Sequence, residues 1–228
     1  MPAPIKIQAA VSGIENHGNG VYTVRFSVPS RATRFKAGQF LHLALDPFDP
    51  AEGYWPDSRV FSIASKPGGD SLEIVYSVKG SFTKRMESEL SIGKLVWIKL
   101  PYGDFIVEKH IALGQHAVFI AGGTGISPFI PYFHQIVSQG CAYPVTIHYG
   151  IRDREHFLYK SVLDEVSSFA DVHVVEGLFD IQEISKELAN RGDSVCFISG
   201  PPNMIHAFQD GLREQGFSAD SIIVDAWE

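Results

Sequence analysis

The chain has 228 residues, 45% of them hydrophobic and 20% charged, which excludes disorder, collagen-like repeats and a disulfide scaffold and leaves room for one large domain or two of about 110 residues. A net charge of −7 argues against nucleic acid, whose binding rests on Lys and Arg neutralising phosphates. No apolar run approaches the roughly 20 residues of a membrane-spanning helix, so no span is expected.

The first half reads as six short strands, at 5–11, 21–28, 39–45, 59–64, 71–78 and 94–100, rich in β-branched and aromatic residues and partly alternating apolar with polar. Turn residues such as Asn19-Gly20, Ala37-Gly38 and Lys66-Pro67-Gly68-Gly69-Asp70 separate them. Their spacing fits a small antiparallel Greek-key barrel. Phe82, Met86 and Leu90 recur at helical spacing, which predicts a short helix over 81–90 between the fifth and sixth strands. On the fourth strand Arg59 and Phe61 share one face and Ser62 points to the other. A cation beside an aromatic suits a phosphate and a ring system, or else a surface ion-pair donor next to a core residue.

From Leu113 onward the pattern becomes strand, helix, strand, helix. Strands at 116–121, 144–149, 172–175, 195–198 and 222–224 alternate with helices at 128–138, 156–168, 181–190 and 202–214. Such alternation implies a Rossmann-like α/β domain with a parallel sheet and helices on both faces, whose ligands sit beyond the carboxyl ends of the strands. The charge changes with the pattern: 13 Lys plus Arg face 11 Asp plus Glu up to Ala112, and 6 face 15 beyond it. A boundary between Glu108 and Gln115 divides the chain into domains of 1–110 and 111–228.

The strand at 116–121 runs directly into Gly122-Gly123-Thr124-Gly125-Ile126-Ser127-Pro128 and a helix, with Ser127 expected as N-cap and Pro128 at the first helical position. A strand, a glycine turn and a helix N-terminus in that order form an anion site suited to pyrophosphate, or simply a tight turn. The standard dinucleotide fingerprint is not met, because Pro128 stands where the third glycine belongs. After the second α/β strand comes Tyr149-Gly150-Ile151-Arg152-Asp153-Arg154. Arg152 can meet an adenosine 2'-phosphate, as in NADPH, whereas Asp153 can read the free 2'-hydroxyl of NADH. Ser199-Gly200-Pro201-Pro202-Asn203-Met204 offers a second approach on the same sheet edge. Cys141 and Cys196 are too few for an iron–sulfur cluster or a four-cysteine zinc site, and the nine histidines show no ligand spacing. No metal is expected, and redox chemistry must come from an organic cofactor. The start Met1-Pro2-Ala3-Pro4-Ile5-Lys6 lacks a signal-peptide pattern, so a cytoplasmic address is expected.

The segments 59–65, Gly80-Ser81-Phe82-Thr83, Pro101-Tyr102-Gly103-Asp104-Phe105, 122–128, 149–159 and 199–204 resemble, in order and spacing, the ferredoxin-NADP reductase family of flavoproteins, and the resemblance spans essentially the whole chain. It implies an FAD-binding barrel, an NAD(P)-binding α/β domain, hydride transfer from NADPH or NADH to FAD, and onward delivery to a separate acceptor such as a ferredoxin, a flavodoxin or an oxygenase component. By that resemblance Arg59 holds a flavin phosphate, Val60 next to it is a further cofactor-binding residue, Phe61 stacks where the family more often has tyrosine, and Ser62 hydrogen-bonds near the flavin N5. Tyr76, Ser77 and Val78 run beside the flavin, and Gly80, Ser81 and Thr83 form a second phosphate clamp. Gly123 and Thr124 take the NAD(P)H pyrophosphate, Arg152 the adenosine end, and Gly200, Pro201 and Met204 the nicotinamide side. Ser199 replaces a common family cysteine. Asp225 is expected near the flavin N5 as a catalytic carboxylate with Ser62, and Trp227 is expected over the ring or as a plug. Lys79, Lys84, Arg85, Lys94 and Lys99 can greet an acidic ferredoxin or stay merely solvated. A free-flavin reductase and a non-catalytic electron-transfer or nucleotide-sensing subunit are the alternatives.

Overall fold

A computed structural model describes residues 3–225. The chain divides into two compact units, Met1–Asp104 and Phe105–Glu228. The first is an antiparallel sheet of β1 (Ile5–Asn16), β2 (Val21–Ser27), β3 (Phe40–Ala44), β4 (Ser58–Ser62), β5 (Ser71–Ser77) and β6 (Leu95–Tyr102), with α1 (Ser81–Glu89) between the last two strands. Its strand order is β4-β3-β6-β1-β2-β5. Beyond β4 the two edges meet, the Ala64 amide donating to the Glu73 carbonyl at 2.8 Å, so the sheet nearly closes into the expected barrel. Alternate residues fill it: Ile7, Ala9 and Val11 from β1, Leu72, Ile74 and Tyr76 from β5, and Val96, Ile98 and Leu100 from β6, with Phe82 and Met86 of α1 packed against them. β1 runs past its expected end because a register shift between Val11 and Gly13 re-aims the strand toward β2.

The second unit is a parallel sheet of β7 (His116–Gly122), β8 (Val145–Ile151), β9 (Asp171–Glu176), β10 (Ser194–Ser199) and β11 (Ile222–Val224), in the order β11-β10-β7-β8-β9. The order reverses between β7 and β10, which places their carboxyl ends at the switch point. Helices α2 (Ile130–Gln139), α3 (Lys160–Val166), α4 (Ile181–Asn190) and α5 (Pro202–Glu214) cover the sheet. Val118, Ile120, Cys196 and Ile198 pack against Ile184 and Leu188 of α4 and Phe208 and Leu212 of α5. On the other face Phe119, stacked on Phe197 at 5.4 Å, meets Tyr132 and Phe133 of α2.

Two expectations need correction. Ser127 is not an N-cap: residues Gly123–Phe129 coil as a 3₁₀ turn that includes Pro128, and the Ser127 hydroxyl turns back to the Thr124 carbonyl at 2.8 Å. The helix expected over 156–168 is shorter, because Asp153 caps a separate turn at Arg154–His156 and Tyr159 takes a left-handed conformation (φ 56°) just before α3.

Candidate nucleotide-binding sites

In the barrel unit, β4 brings Arg59 to the start of α1. Its Nη1 donates to Asp57 Oδ1 at 2.6 Å and to the Ser58 carbonyl at 2.8 Å, and its guanidinium lies 5.1 Å from the centre of the Phe82 ring. Phe82, the second residue of α1, is buried, so it anchors that first turn and fixes the guanidinium beside it. Gly80 precedes the helix with extended backbone, and a Cβ placed there would meet nothing within 4 Å among the described residues. Thr83 Oγ1 accepts from the amides of Lys79 (2.9 Å) and Gly80 (3.1 Å), which commits this hydroxyl to capping. The amides of the first helical turn have no intrahelical acceptor and sit at the positive end of the dipole. Open glycine, helix start and guanidinium together fit a phosphate group.

The remaining barrel candidates line the strands that lead to this point. Val60 and Phe61 are half-buried and Ser62 is buried. Phe61 meets Tyr76 edge-on at 6.3 Å, and Tyr76 stacks on Tyr22 at 5.3 Å across the β2–β5 pairing. Tyr76 therefore turns its ring into the barrel core, where burial raises its phenol pKa and keeps it neutral. Ser77 is half-buried, and the Val78 amide closes onto the Gly20 carbonyl at 2.8 Å. Sequence reading did not single out Asp57, which holds Arg59, and it took Phe82 as a helix residue without placing its ring against the guanidinium.

In the α/β unit the glycines divide into two kinds. At Gly122 a Cβ would come within 2.6 Å of Met204 Sδ and 3.0 Å of Pro201 Cδ. At Gly125 it would overlap the Ser199 carbonyl oxygen and the backbone of Gly200, and at Gly200 it would fall 2.6 Å from Met204 Cε. These glycines let the loop after β7 lie directly against the loop after β10, bringing Gly200, Pro201 and Met204 beside Gly122 and Gly125. Gly123 differs, with a left-handed φ of 54° and nothing within 4 Å of a Cβ among the described residues. Its carbonyl accepts from the hydroxyl of buried Tyr149 at 3.2 Å, which fixes the peptide from one side, and both Gly123 and Thr124 are half-buried. A backbone arrangement of this kind fits a pyrophosphate.

Arg152 stands exposed after β8 and forms no ion pair among the described residues. Asp153 is committed elsewhere: its Oδ1 accepts from the amides of Glu155 (3.0 Å) and His156 (3.1 Å) and meets His156 Nδ1 at 2.6 Å. The imidazole beside it lowers its pKa, so it is a firmly ionised cap. Arg154 faces Glu176 of β9 at 3.7 Å.

The ends of β10 and β11 make one more contact that sequence did not disclose. Ser199 Oγ donates to Asp225 Oδ2 at 3.2 Å, and the Asp225 amide donates to the Ile198 carbonyl at 2.9 Å. Both side chains are buried. Serine in place of cysteine thus supplies the acid with a hydrogen bond that a thiol makes only weakly. Trp227 lies outside the described residues.

Known proteins resemble this chain over both units. A family model for the FAD-binding domain matches residues 7–127, and one for the oxidoreductase NAD-binding domain matches residues 119–210. The chain belongs to the ferredoxin-NADP reductase family of flavoproteins. A relative within reach of it is the toluate 1,2-dioxygenase electron transfer component of Pseudomonas putida, 25% identical over 92% of this chain and 64% of that protein. Another is the probable dihydroorotate dehydrogenase B (NAD(+)) electron transfer subunit of Methanopyrus kandleri, 33% identical over 82% of this chain and 67% of that one. The methane monooxygenase component C of Methylosinus trichosporium is 32% identical over 49% of this chain, and that match covers 32% of its own length. The chain thus spans between a third and two thirds of these curated relatives. A ferredoxin NADP+ reductase from Neisseria gonorrhoeae, solved with bound FAD and NADP, shares the fold with a TM-score of 0.77 at 19% identity, covering 96% of this chain and 98% of that one.

Proposed function

We propose that this chain is an FAD-dependent NAD(P)H oxidoreductase that feeds electrons to a separate acceptor protein. The observation that carries this reading is the pair of phosphate cradles, one in each unit of a ferredoxin-NADP reductase family member: Arg59 beside the open start of α1, and the open peptide at Gly123 after β7. When bound, FAD supplies a hydride acceptor that can pass its electrons on singly.

The chain's residues supply anchoring and local electrostatics. Arg59 exchanges its exposed Asp57 contact for a flavin phosphate while the Ser81–Thr83 amides take further oxygens. Phe61 beside Val60 would offer a ring face to the flavin, and Ser62 would supply a hydroxyl for a hydrogen bond to it. Tyr76, Ser77 and Val78 form the strand wall on that side. Gly123 and Thr124 hold the NAD(P)H pyrophosphate by backbone. Gly200, Pro201 and Met204 shape the nicotinamide side, and Asp225, oriented by Ser199, is the buried carboxylate at that sheet edge. Arg152, with no carboxylate on it, reads the 2'-phosphate of NADPH, while Asp153 is occupied as a cap and is poorly placed to read the 2'-hydroxyl of NADH.

The names of relatives support a separate acceptor: an electron transfer component, an electron transfer subunit, and a propane 2-monooxygenase reductase component 25% identical over 96% of this chain. Lys79, Lys84, Arg85, Lys94 and Lys99 belong to the barrel unit, but Arg85 is held by Asp46 and Glu89 and Lys94 lies 3.8 Å from Glu89, which narrows the cations open to an acidic partner. Among the described residues no helix is long and apolar enough to cross a membrane.

Steady-state reduction of a dye acceptor with NADPH and with NADH, before and after Arg152→Ala, tests this reading. It expects KM for NADPH to rise about tenfold or more, with KM for NADH little changed. Equal losses with both nucleotides would remove the 2'-phosphate role, and absence of activity with either would remove the oxidoreductase. A flavin that leaves the protein on gel filtration would favour the free-flavin reductase.

A further inference from the structure

The outer face of the barrel carries an arrangement of charge that neither the fold nor the nucleotide cradles use. Lys6 of β1 stands directly opposite Lys99 of β6, and Lys99 directly opposite His42 of β3. Their neighbours Ile7, Ile98, Leu100, Leu41 and Leu43 point into the core, so all three side chains point outward. Like charges directly across a sheet repel, yet neither lysine has an ion-pair partner among the described residues. Of the acids in the loop between β3 and β4, Asp46 pairs with Arg85, Asp57 with Arg59, and Asp49 accepts from the Ala51 amide, while exposed Glu52 makes no ion pair with either lysine among the described residues.

Aromatic rings surround the ammonium groups instead. Lys6 Nζ lies 4.3 Å from the centre of Phe48 and 5.8 Å from Trp55, and Lys99 Nζ lies 5.3 Å from Trp55 and 5.4 Å from Tyr102. Two cations thus border one indole, which is fixed by Nε1 donating to Ser58 Oγ at 3.1 Å and by Phe48 at 5.3 Å. His42 meets Tyr102 edge-on at 4.9 Å. Burial, and then Lys99, lower its pKa and hold it neutral. Next to Trp55 in the chain, Tyr54 is 76% exposed.

We propose that this face is an oxyanion site that takes the phosphoryl group of a small aromatic phosphate ester, bridged between Lys6 and Lys99, with Tyr54 and Trp55 receiving the ring. The charge decides the class. A phosphate monoester carries close to two negative charges at neutral pH and answers both lysines, whereas a carboxylate answers one. The occupied site also gives His42 a reason to take up a proton as a third donor. The proposal is independent of the nucleotide reading, since none of these residues belongs to either cradle.

The test is thermal unfolding of the full chain saturated with FAD, in inorganic phosphate or phenyl phosphate, against chloride of matched ionic strength. Phosphate at about ten times its Kd is expected to raise Tm by about 3 °C, and phenyl phosphate to raise it further. The Lys6→Met/Lys99→Met double variant should lose this increment while its Tm in chloride stays level or rises, because the repulsion is gone. Arg59→Ala should keep it. Equal Tm values in phosphate and chloride would overturn the proposal and leave the rings as the lysines' sole partners. So would an increment that survives in the double variant but vanishes in Arg59→Ala, since that places the anion on the flavin clamp. Equal rises with phosphate and phenyl phosphate would overturn the role given to the rings.

Discussion

The barrel unit answers its polar groups with side chains, and the α/β unit leaves several of its own to the backbone or without an answer. In the barrel, buried Glu73 receives Arg25 Nε at 2.6 Å, and the proposed phosphate clamp is a guanidinium beside a helix start. In the α/β unit the proposed phosphate cradle is a bare glycine peptide, and buried His148 has an Nε2 with no hydrogen-bond partner among the described residues. The charge balance follows the same division, +2 up to Ala112 and −9 beyond. On the proposed function, a flavin that stays bound would profit from a cation that holds it, whereas a nicotinamide nucleotide exchanged at every turnover would be better held by backbone amides. The contrast is thus between retention and exchange.

The largest expected effect separates the two kinds of glycine. Gly125→Val drives its side chain into the Ser199 carbonyl and the Gly200 backbone, and neither is a flexible chain end that can step aside. Overpacking of that order should cost about 3 kcal/mol, measured as a fall in the denaturant midpoint. Gly123→Ala meets no atom and costs only the left-handed backbone strain, about 1 kcal/mol, yet it should weaken NAD(P)H binding because it intrudes on the open side. Equal destabilisation by the two changes would break the distinction.

A comparable effect lies in acid. Burial first, then the neighbouring imidazole of His173 stacked at 5.0 Å, lowers the His148 pKa to about 4. An unfolded histidine titrates near 6.5, so the unfolded chain binds this proton first. The stability due to neutral His148 is whole above pH 6.5 and is lost as pH falls toward 4, by about 3 kcal/mol in all. His148→Leu should flatten the acid limb of the stability profile between those values without loss at pH 7. An unchanged acid limb would show that His148 is not the group left unanswered.

How much of this was legible in sequence depends on the range of the interaction. The barrel and the parallel sheet followed from periodicity, since alternation in β1, β5 and β6 and the 3.6-residue repeat of α4 and α5 are local consequences of which face is buried. The anion loop after β7 was legible because glycines between a strand and a helix constrain the backbone whatever surrounds them. Which glycine packs and which stays open was not, because that depends on β10 lying beside β7 in a register that pairs Ser199 with Ala121. The same holds for Asp153, whose residue type suits a ribose hydroxyl equally well until the turn it caps brings His156 back to it. The Ser199–Asp225 hydrogen bond joins residues 26 apart in sequence and follows only from the pairing of β10 with β11.

The account stands or falls on anaerobic titration of the FAD-loaded, gel-filtered chain with NADPH or NADH, followed by visible absorbance. It predicts that the flavin stays with the protein and that its colour bleaches at about one nucleotide per flavin, in line with a two-electron hydride transfer. A chain that retains FAD through the column yet keeps its full colour with an excess of either nucleotide would contradict it.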